Sequence, residues 1–144
     1  MIKFTVITIT YNAEAVLERT LQSVLCQTHE DVEHLIIDGA STDGTLAMAE
    51  RYKAESDASE LGHKVIIRSE PDDGIYDAMN KGLTQASGDY IIYMNAGDSF
   101  PKKDTLETIA HTQCEAVHVF PVCVVSLRER TIVGNVLECL IIIR

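Results

Sequence analysis

The stretch "EPDDGIYDAMNKGLTQASGDYIIYMNAGDSF", residues 70 to 100, carries two secondary-structure patterns in direct succession. Ile75, Met79 and Leu83 recur four residues apart, which predicts an amphipathic helix over residues 74–86. Ser87-Gly88 ends that helix, and the mostly apolar residues 89–94 predict a buried strand. A helix followed at once by such a strand is typical of an α/β protein with a parallel sheet.

The same alternation runs through the first 112 residues. Predicted strands occupy residues 3–10, 34–37, 64–68 and 89–94, and predicted helices occupy residues 14–27, 42–55, 74–86 and 102–112. Asn12 is predicted to cap the first helix. We therefore expect an α/β domain, a mostly parallel sheet with helices on both faces joined by right-handed crossovers. Residues 1–112 form its core, and one or two apolar strands in residues 113–144 continue it or remain from it.

Composition limits the function. A chain of 144 residues has room for one domain with a real core, and its apolar and charged fractions are those of a globular protein. The net charge of -10 argues against nucleic acid or an anionic membrane as the main partner. If the ligand is itself an anion, something other than the protein must supply positive charge.

The cysteines and histidines do not form a zinc motif. Cys26, Cys114, Cys123 and Cys139 include no CxxC pair, and the histidines include no HExxH. The N-terminal "MIKFTVITIT" resembles a core strand more than a signal peptide, and no apolar run reaches the roughly 18 residues of a membrane span. These features predict a cytoplasmic protein, either free or peripheral to the inner face of the plasma membrane.

Polar residues follow each predicted strand, at positions 10–12, 38–43, 72–73 and 95–99. In parallel α/β sheets, ligands bind outside the carboxyl ends of the strands, so these clusters indicate a binding site. The alternative is that they are helix caps and turns, which favour the same residue types. The aspartates exceed what capping needs, which favours a site.

The missing motifs narrow the chemistry. There is no GxGxxG, no GxxxxGK[ST] and no GxSxG, which disfavours a dinucleotide site, a P-loop and a serine hydrolase. Asp38 lacks a second aspartate two residues later, as a phosphatase of the haloacid dehalogenase type requires. Carboxylates and amides suit a hard cation such as Mg²⁺ or Mn²⁺, which would also let an acidic protein hold an anionic diphosphate.

Four motifs together resemble a known family. They are "FTVITITYN" at 4–12, "LIIDGASTDGT" at 35–45, "DDGIYDAMNKGLTQASGDYIIYMNAGDSF" at 72–100 and "TLETIA" at 105–110. In this order they are similar to the family-2 inverting glycosyltransferases with the GT-A nucleotide-sugar-binding fold, over about the first 110 residues. The "DGIYDAMNKG" variant is most similar to the branch that builds bacterial capsule, exopolysaccharide and lipopolysaccharide.

The resemblance implies roles for individual residues. Thr10, Tyr11 and Asn12 would line the nucleoside pocket, with the aromatic ring near the base, and Asn12 could do so while also capping the helix. Asp38 would read the base or ribose, usually of a uridine nucleotide, against the alternative of a simple turn residue.

Further along, the family brings a loop toward the nucleotide and sugar at Asp73 and Gly74. Lys81 either meets a phosphate or is solvated. Residues 41–43 are expected to set a turn and cap the second helix.

The resemblance also implies a Mn²⁺ or Mg²⁺ cofactor. The family's usual Asp-x-Asp-Asp signature reads Asn95-Ala96-Gly97-Asp98 here, so Asp98 alone keeps the metal-coordinating carboxylate. Asn95 can still offer a carbonyl oxygen, and Gly97 lets the backbone approach the phosphates. We therefore expect tight metal binding only with a nucleotide diphosphate present.

The C-terminal part departs from the family pattern. Members usually continue for another hundred residues or so and supply the general base there, and no residue after position 112 matches that base. Two hypotheses follow: a transferase, whole or truncated, carrying a sugar from a nucleotide sugar, by preference a UDP-sugar, to a carbohydrate or lipid-linked acceptor; or a binding module without turnover. The apolar "VLECLIIIR" at 136–144 favours burial in a partner and hence a homo-oligomer.

Overall fold

The computed structural model describes residues 1–111, 123–126 and 132–133. Strands and helices alternate along the chain as β1 (Phe4–Thr10), α1 (Glu14–Leu25), β2 (Val32–Asp38), α2 (Thr45–Asp57), β3 (Lys64–Ser69), α3 (Ile75–Gln85), β4 (Tyr90–Asn95), α4 (Thr105–His111), β5 (Cys123–Ser126) and β6 (Ile132–Val133).

One six-stranded sheet has the order β3-β2-β1-β4-β5-β6. The first four strands in this order run parallel, and β5 and β6 add antiparallel pairs at the β4 side. Thr10 lies level with Asp38, and Asp38 with Ser69, so the carboxyl ends of β1, β2 and β3 form one edge. The predicted mostly parallel α/β sheet is confirmed.

Helices cover both faces of the sheet. Val24 of α1 and Leu106 of α4 pack with Phe4 and Val6 on one face, where α2 also lies. On the opposite face α3 packs against β1 and β2, and Gly82 lies so close that an added Cβ would be 2.6 Å from Ile7 Cγ2. Because successive side chains of a strand point to opposite faces of the sheet, each strand side chain contacts the helices of one face only.

Strand β2 begins two residues earlier than predicted, because a charged residue near its start is buried, and it ends one residue later than predicted, at Asp38. Glu33 is 1% exposed, and its carboxylate accepts hydrogen bonds from Thr5 Oγ1 (2.9 Å), the Ser87 backbone N–H (3.0 Å) and Lys64 Nζ (3.2 Å). Burial alone raises the pKa of Glu33, but the hydrogen bonds from Ser87, Thr5 and Lys64 outweigh burial and lower it. The carboxylate therefore fastens β1, β2, β3 and the loop before β4 together.

A second buried polar group holds α2 on the sheet. His34 lies between Thr8 Oγ1, 2.8 Å from Nε2, and Tyr52 OH, 2.8 Å from Nδ1. Burial, with a smaller contribution from His63, lowers the pKa of His34 to about 3. The ring is neutral at pH 7, so one nitrogen donates and the other accepts.

The helix bounds differ slightly from prediction. Helix α4 begins at Thr105 rather than at residue 102, because Thr105 Oγ1 donates to the Lys102 carbonyl (2.7 Å) and closes a turn there. Its predicted last residue, 112, lies outside the described residues, as does the 136–144 segment on which the homo-oligomer was predicted. Strands β5 and β6 fall in the predicted C-terminal segment and join the same sheet.

Candidate active site at the carboxyl edge of the sheet

The loops that follow β1 and β2 are bound to each other. The Asn12 backbone N–H donates to Ser41 Oγ (2.8 Å), and Asn12 Oδ1 accepts from the Thr42 backbone N–H (2.9 Å). Asn12 has φ of +46°, and the N-cap of α1 is Ala13. The predicted helix cap at Asn12 is therefore wrong, because its carboxamide is used by the neighbouring loop.

Helices α1 and α2 begin side by side and share their capping groups. The carboxylate of Asp43 accepts from the backbone N–H groups of Glu14 (3.2 Å) and Thr45 (3.0 Å). In return, Glu14 Oε2 accepts from the Gly44 N–H (3.0 Å), and Thr45 Oγ1 accepts from the Ala13 N–H (2.9 Å). Hydrogen bonds from Thr45 are the main reason that the pKa of Asp43 is lowered. These contacts fix the N-termini of α1 and α2 beside each other at the carboxyl edge of the sheet.

Asp38 lies at the end of β2 and is 1% exposed. Oδ2 accepts from the Ser41 backbone N–H (3.0 Å) and from Ser69 Oγ (2.6 Å), and Oδ1 accepts from Ser41 Oγ. The carboxylate thus joins the β2–α2 loop to the end of β3. Thr10 lies level with it on β1, and its buried Oγ1 has no hydrogen-bond partner.

Residues that follow the first three strands meet at Gly39. Tyr11 approaches it from the end of β1, and Asp72 approaches it from the loop after β3. Tyr11 is 65% exposed. A Cβ atom added at Gly39 would lie 2.7 Å from Asp72 Oδ2 and 3.3 Å from Tyr11 Cδ2. The Asp72 carboxylate and the Tyr11 ring thus both approach the Gly39 backbone, and the absence of a side chain there makes this possible.

The loop after β3 places its two aspartates differently. Asp72 Oδ1 accepts from the Gly74 N–H (2.9 Å), whereas exposed Asp73 uses its backbone N–H to bond Asp77 Oδ2 (3.2 Å). Gly74 has φ of +108°, a conformation that favours glycine. Of the two aspartates, Asp72 is the one that turns toward Tyr11 and Gly39.

Lys81 is partly exposed and contacts three neighbouring groups. Its Nζ lies 2.9 Å from Asp77 Oδ2, 3.4 Å from Glu70 Oε1 and 2.9 Å from the Pro71 carbonyl oxygen. The hydrogen bond with Asp77 raises the pKa of Lys81 and lowers that of Asp77. Because an ammonium has three donors, these contacts engage them all and tie the β3–α3 loop to α3.

Residues 95–98 form a tight turn after β4. The Asp98 N–H donates to the Asn95 carbonyl (3.0 Å), and Asp98 Oδ2 accepts from the Asn95 N–H (3.1 Å). Thr20 of α1 holds the turn, since its Oγ1 accepts from the Gly97 N–H (2.8 Å) and donates to the Asp98 carbonyl (2.7 Å). Gly97 has φ of +101°. No pattern in the sequence links Thr20, in the middle of a helix, to this turn.

One carboxylate and one amide carbonyl, Asp98 and Asn95, are hard oxygen donors of the kind that Mg²⁺ and Mn²⁺ accept. Within residues 1–111 and the two described C-terminal strands, no group of three or more His, Cys, Asp or Glu side chains could hold a metal ion. The donor set therefore fits a cation that takes its other ligands from a bound anion and water.

A mostly parallel sheet with helices on both faces and a polar rim at its carboxyl edge is the architecture expected of the GT-A fold of nucleotide-diphospho-sugar transferases, and the family model and solved structures of that fold confirm it. The chain belongs to glycosyl transferase family 2, whose family model matches residues 5–136. The resemblance read from the sequence motifs is thereby confirmed at the level of family and fold.

Two curated relatives illustrate the family. The chain is 40% identical over 107 residues to the PGL/p-HBAD biosynthesis glycosyltransferase of Mycobacterium bovis, covering 74% of this chain and 40% of that protein. It is 39% identical over 102 residues to the putative teichuronic acid biosynthesis glycosyltransferase TuaG of Bacillus subtilis, covering 71% and 38%. The chain thus spans about two fifths of the length of these relatives.

Two solved structures share the fold. S. aureus TarS 1-349 in complex with UDP-GlcNAc matches with a TM-score of 0.63 and 31% identity, over 75% of this chain and 30% of that one. The mannosyltransferase PcManGT from Pyrobaculum calidifontis, in complex with GDP-Man and Mn²⁺, matches with a TM-score of 0.68 and 27% identity, over 81% and 34%. Among the described residues of the present chain, no helix is long and apolar enough to cross a membrane.

Proposed function

We propose that this chain binds a nucleotide sugar, by preference a UDP-sugar, at the carboxyl edge of its sheet. As part of an inverting glycosyltransferase it would transfer the sugar to a carbohydrate or lipid-linked acceptor in cell-surface glycan assembly. The observation that carries the proposal is the convergence of the Tyr11 ring and the Asp72 carboxylate on the bare backbone of Gly39. The TarS complex with UDP-GlcNAc, a relative of the same fold, supports the choice of ligand.

The nucleoside would lie against Tyr11. An exposed aromatic ring offers a flat apolar surface to a base, and the nearby Asp72 carboxylate can accept a hydrogen bond from a ribose hydroxyl. Asp38 already accepts from Ser41 and Ser69, so a direct bond from the base to Asp38 requires one of those hydroxyls to turn away. Thr10, with its unpartnered Oγ1, and Asn12 would line the same pocket.

The diphosphate would lie beside the turn of residues 95–98, where Asp98 and Asn95 would hold the cation. A bound Mn²⁺ or Mg²⁺ supplies positive charge to the departing nucleotide diphosphate. Gly74, at the start of α3, and exposed Asp73 border the path from the nucleoside to the sugar. Lys81 acts by fixing the β3–α3 loop, since reaching a phosphate would require breaking its contacts with Asp77 and Glu70.

The proposed reaction is a single displacement. The acceptor oxygen forms a bond to the anomeric carbon, the bond from that carbon to the diphosphate oxygen breaks, and the nucleotide diphosphate leaves with the electron pair. The proton of the acceptor hydroxyl passes to a general base, a role that we assign to none of the described residues. A single displacement of this kind inverts the configuration at the anomeric carbon.

The test combines stability and turnover. The protein is mixed with Mn²⁺ and UDP-, GDP- or dTDP-sugars, and thermal stabilisation and release of nucleotide diphosphate are measured separately. We expect stabilisation by a UDP-sugar with Mn²⁺, and release in the presence of an acceptor. Stabilisation without release would instead indicate a binding module. If a donor causes no stabilisation and no release, the proposal is contradicted for that donor.

Asp98 provides the test of the metal site. Asp98→Ala should abolish the Mn²⁺-dependent part of nucleotide binding while circular dichroism shows an unchanged fold. The control is Asp57→Ala, which removes an exposed carboxylate paired with Lys53 at the far end of α2. Equal Mn²⁺ dependence in Asp98→Ala and the wild type would remove Asp98 from the site, and tight Mn²⁺ binding without nucleotide would contradict the ligand set proposed here.

A further inference from the structure

Helix α3 exposes two large apolar side chains at its first turn. Ile75 is 47% exposed and Tyr76 is 52% exposed, although the rest of the sheet-facing side of this helix is packed. Met79 and Leu83 pack against the cluster that contains Ile7 and Ile37. The exposed pair is therefore a local feature of the N-terminal turn.

The position of Ile75 explains its exposure. Ile75 belongs to the same stripe as Met79 and Leu83, because residues four apart lie on one helix face. The N-terminus of α3 lies at the carboxyl edge of the sheet, since α3 returns the chain after β3 to begin the parallel strand β4. The first member of the stripe thus extends past the strand ends and overhangs the crevice where parallel α/β sheets bind ligands.

The space beside this pair is open. A Cβ atom added at Gly74 would meet no atom within 4 Å. On the preceding residues, the Asp72 carboxylate turns toward Gly39 and Tyr11. The β3–α3 loop therefore separates the proposed nucleoside pocket from an open space bordered by Ile75 and Tyr76.

The charges around the pair indicate what could fill this space. Residues 70–77 contain four carboxylates, and Lys81 contacts two of them, Glu70 and Asp77. An anionic group would be repelled here. A neutral group with hydroxyls for the carboxylates and an apolar face for Ile75 and Tyr76 would fit, and a pyranose ring has both.

We propose that Ile75 and Tyr76 form an apolar shelf that contacts the C–H face of the donor hexose. This inference rests on the nucleotide-sugar site proposed above and extends it to the sugar. The covalent link from nucleoside through diphosphate to sugar requires the hexose to lie within a few bond lengths of the Asp98 turn and the Asp72 loop. Tyr76 and Ile75 act by contact and orientation, not by proton transfer.

The experiment separates contact with the sugar from contact with the nucleotide. Dissociation constants are measured by calorimetry with Mn²⁺ for UDP and for UDP-GlcNAc, UDP-glucose and UDP-galactose, with GDP and dTDP and their sugars as further probes. Tyr76→Ala should weaken the tightest-binding nucleotide hexose by about 3–10-fold and leave the matching nucleotide within twofold. Ile75→Ala should act in the same direction, and Tyr76→Phe, which keeps the ring, should bind as the wild type does.

Leu61→Ala is the matched control, because Leu61 is 40% exposed but lies in the loop before β3, away from the carboxyl edge. The inference is overturned if Tyr76→Ala leaves the affinity for every nucleotide hexose unchanged, or weakens nucleotide and nucleotide hexose equally. Absence of nucleotide binding in the wild type would overturn the proposed function and the shelf with it. Normal nucleotide binding with an unaffected hexose contribution would overturn the shelf alone.

Discussion

Gly39 should be required for nucleotide binding and dispensable for folding. In Gly39→Ala the new Cβ would lie 2.7 Å from Asp72 Oδ2, closer than real Cβ atoms approach such an atom. The backbone of Gly39 does not have a positive φ, so alanine itself fits the local conformation. The strain must therefore be relieved by moving the Asp72 carboxylate, which then loses its bond to the Gly74 N–H.

The two consequences differ in size. A Gly→Ala change at a compatible conformation stabilises by about 0.4–1 kcal/mol, and the lost hydrogen bond costs about 0.5–1.5 kcal/mol, so stability should change by no more than about 1 kcal/mol. That corresponds to a Tm shift of no more than about 4 °C. A charge-assisted hydrogen bond that the Asp72 carboxylate accepts from a ribose hydroxyl would contribute about 1.5–3 kcal/mol, so the Kd for UDP should rise about 10–150-fold.

Calorimetry with UDP and Mn²⁺, together with thermal unfolding, measures both effects. Asp72→Ala and the Gly39→Ala/Asp72→Ala double variant complete the cycle, and the double variant should bind no worse than Asp72→Ala alone. A Kd for Gly39→Ala within twofold of the wild type would refute the reasoning. Additive losses in the double variant would show that Gly39 acts through something other than Asp72.

Three further predictions concern stability. Ala40 has φ of +60°, so Ala40→Gly should relieve left-handed strain of about 1–2 kcal/mol, partly offset by the greater entropy of the unfolded chain. A denaturant titration should show that the free energy of unfolding rises by about 0.5–1 kcal/mol. A fall would show that the methyl group of Ala40 makes stabilising contacts. Glu33→Gln should lose about 1.5–3 kcal/mol at pH 7. Because the folded pKa of Glu33 is lowered, its contribution is present above the ordinary glutamate pKa of about 4.3 and lost as the pH falls through the folded value. The Tm difference between Glu33→Gln and wild type should therefore shrink toward pH 3, and a pH-independent difference would contradict the charge argument. Asp43→Ala removes a cap from two helices and should lower the Tm by about 2–8 °C, whereas Asp73→Ala, on an exposed loop residue, serves as the control and should leave it nearly unchanged.

Much of the fold could be read from local patterns. Apolar residues at helical spacing predicted α1, and the β-branched residues of β1 predicted a buried strand, because each pattern repeats with the period of its own element. The bounds failed where a side chain bonded outside its element. Glu33 is charged and yet lies within β2. Thr105 closes a turn with Lys102, so α4 begins later than predicted.

The candidate site was predicted as a set of strand ends, and its internal contacts were not. Sequence alone gave no reason to prefer Asp72 over Asp73, since the two are adjacent in one loop. Asn12 is a residue type that often caps helices, yet its side chain accepts a hydrogen bond from Thr42, thirty residues away. The sequence allowed Lys81 to be a phosphate ligand or a solvated residue, and its contacts with Glu70 and Asp77 are visible only in the fold.

The amino-acid sequence by itself determined the alternation of strands and helices, the parallel sheet and the polar carboxyl edge, because periodicity and turn residues are properties of neighbouring positions. Only the tertiary structure decided what each polar side chain bonds to, because loops after different strands meet at that edge across long stretches of chain. It decided the approach of Asp72 and Tyr11 to Gly39, and the overhang of Ile75 beyond the strands. A hydrogen bond or a burial depends on distances in space, and those are fixed only once the sheet has brought its strand ends together.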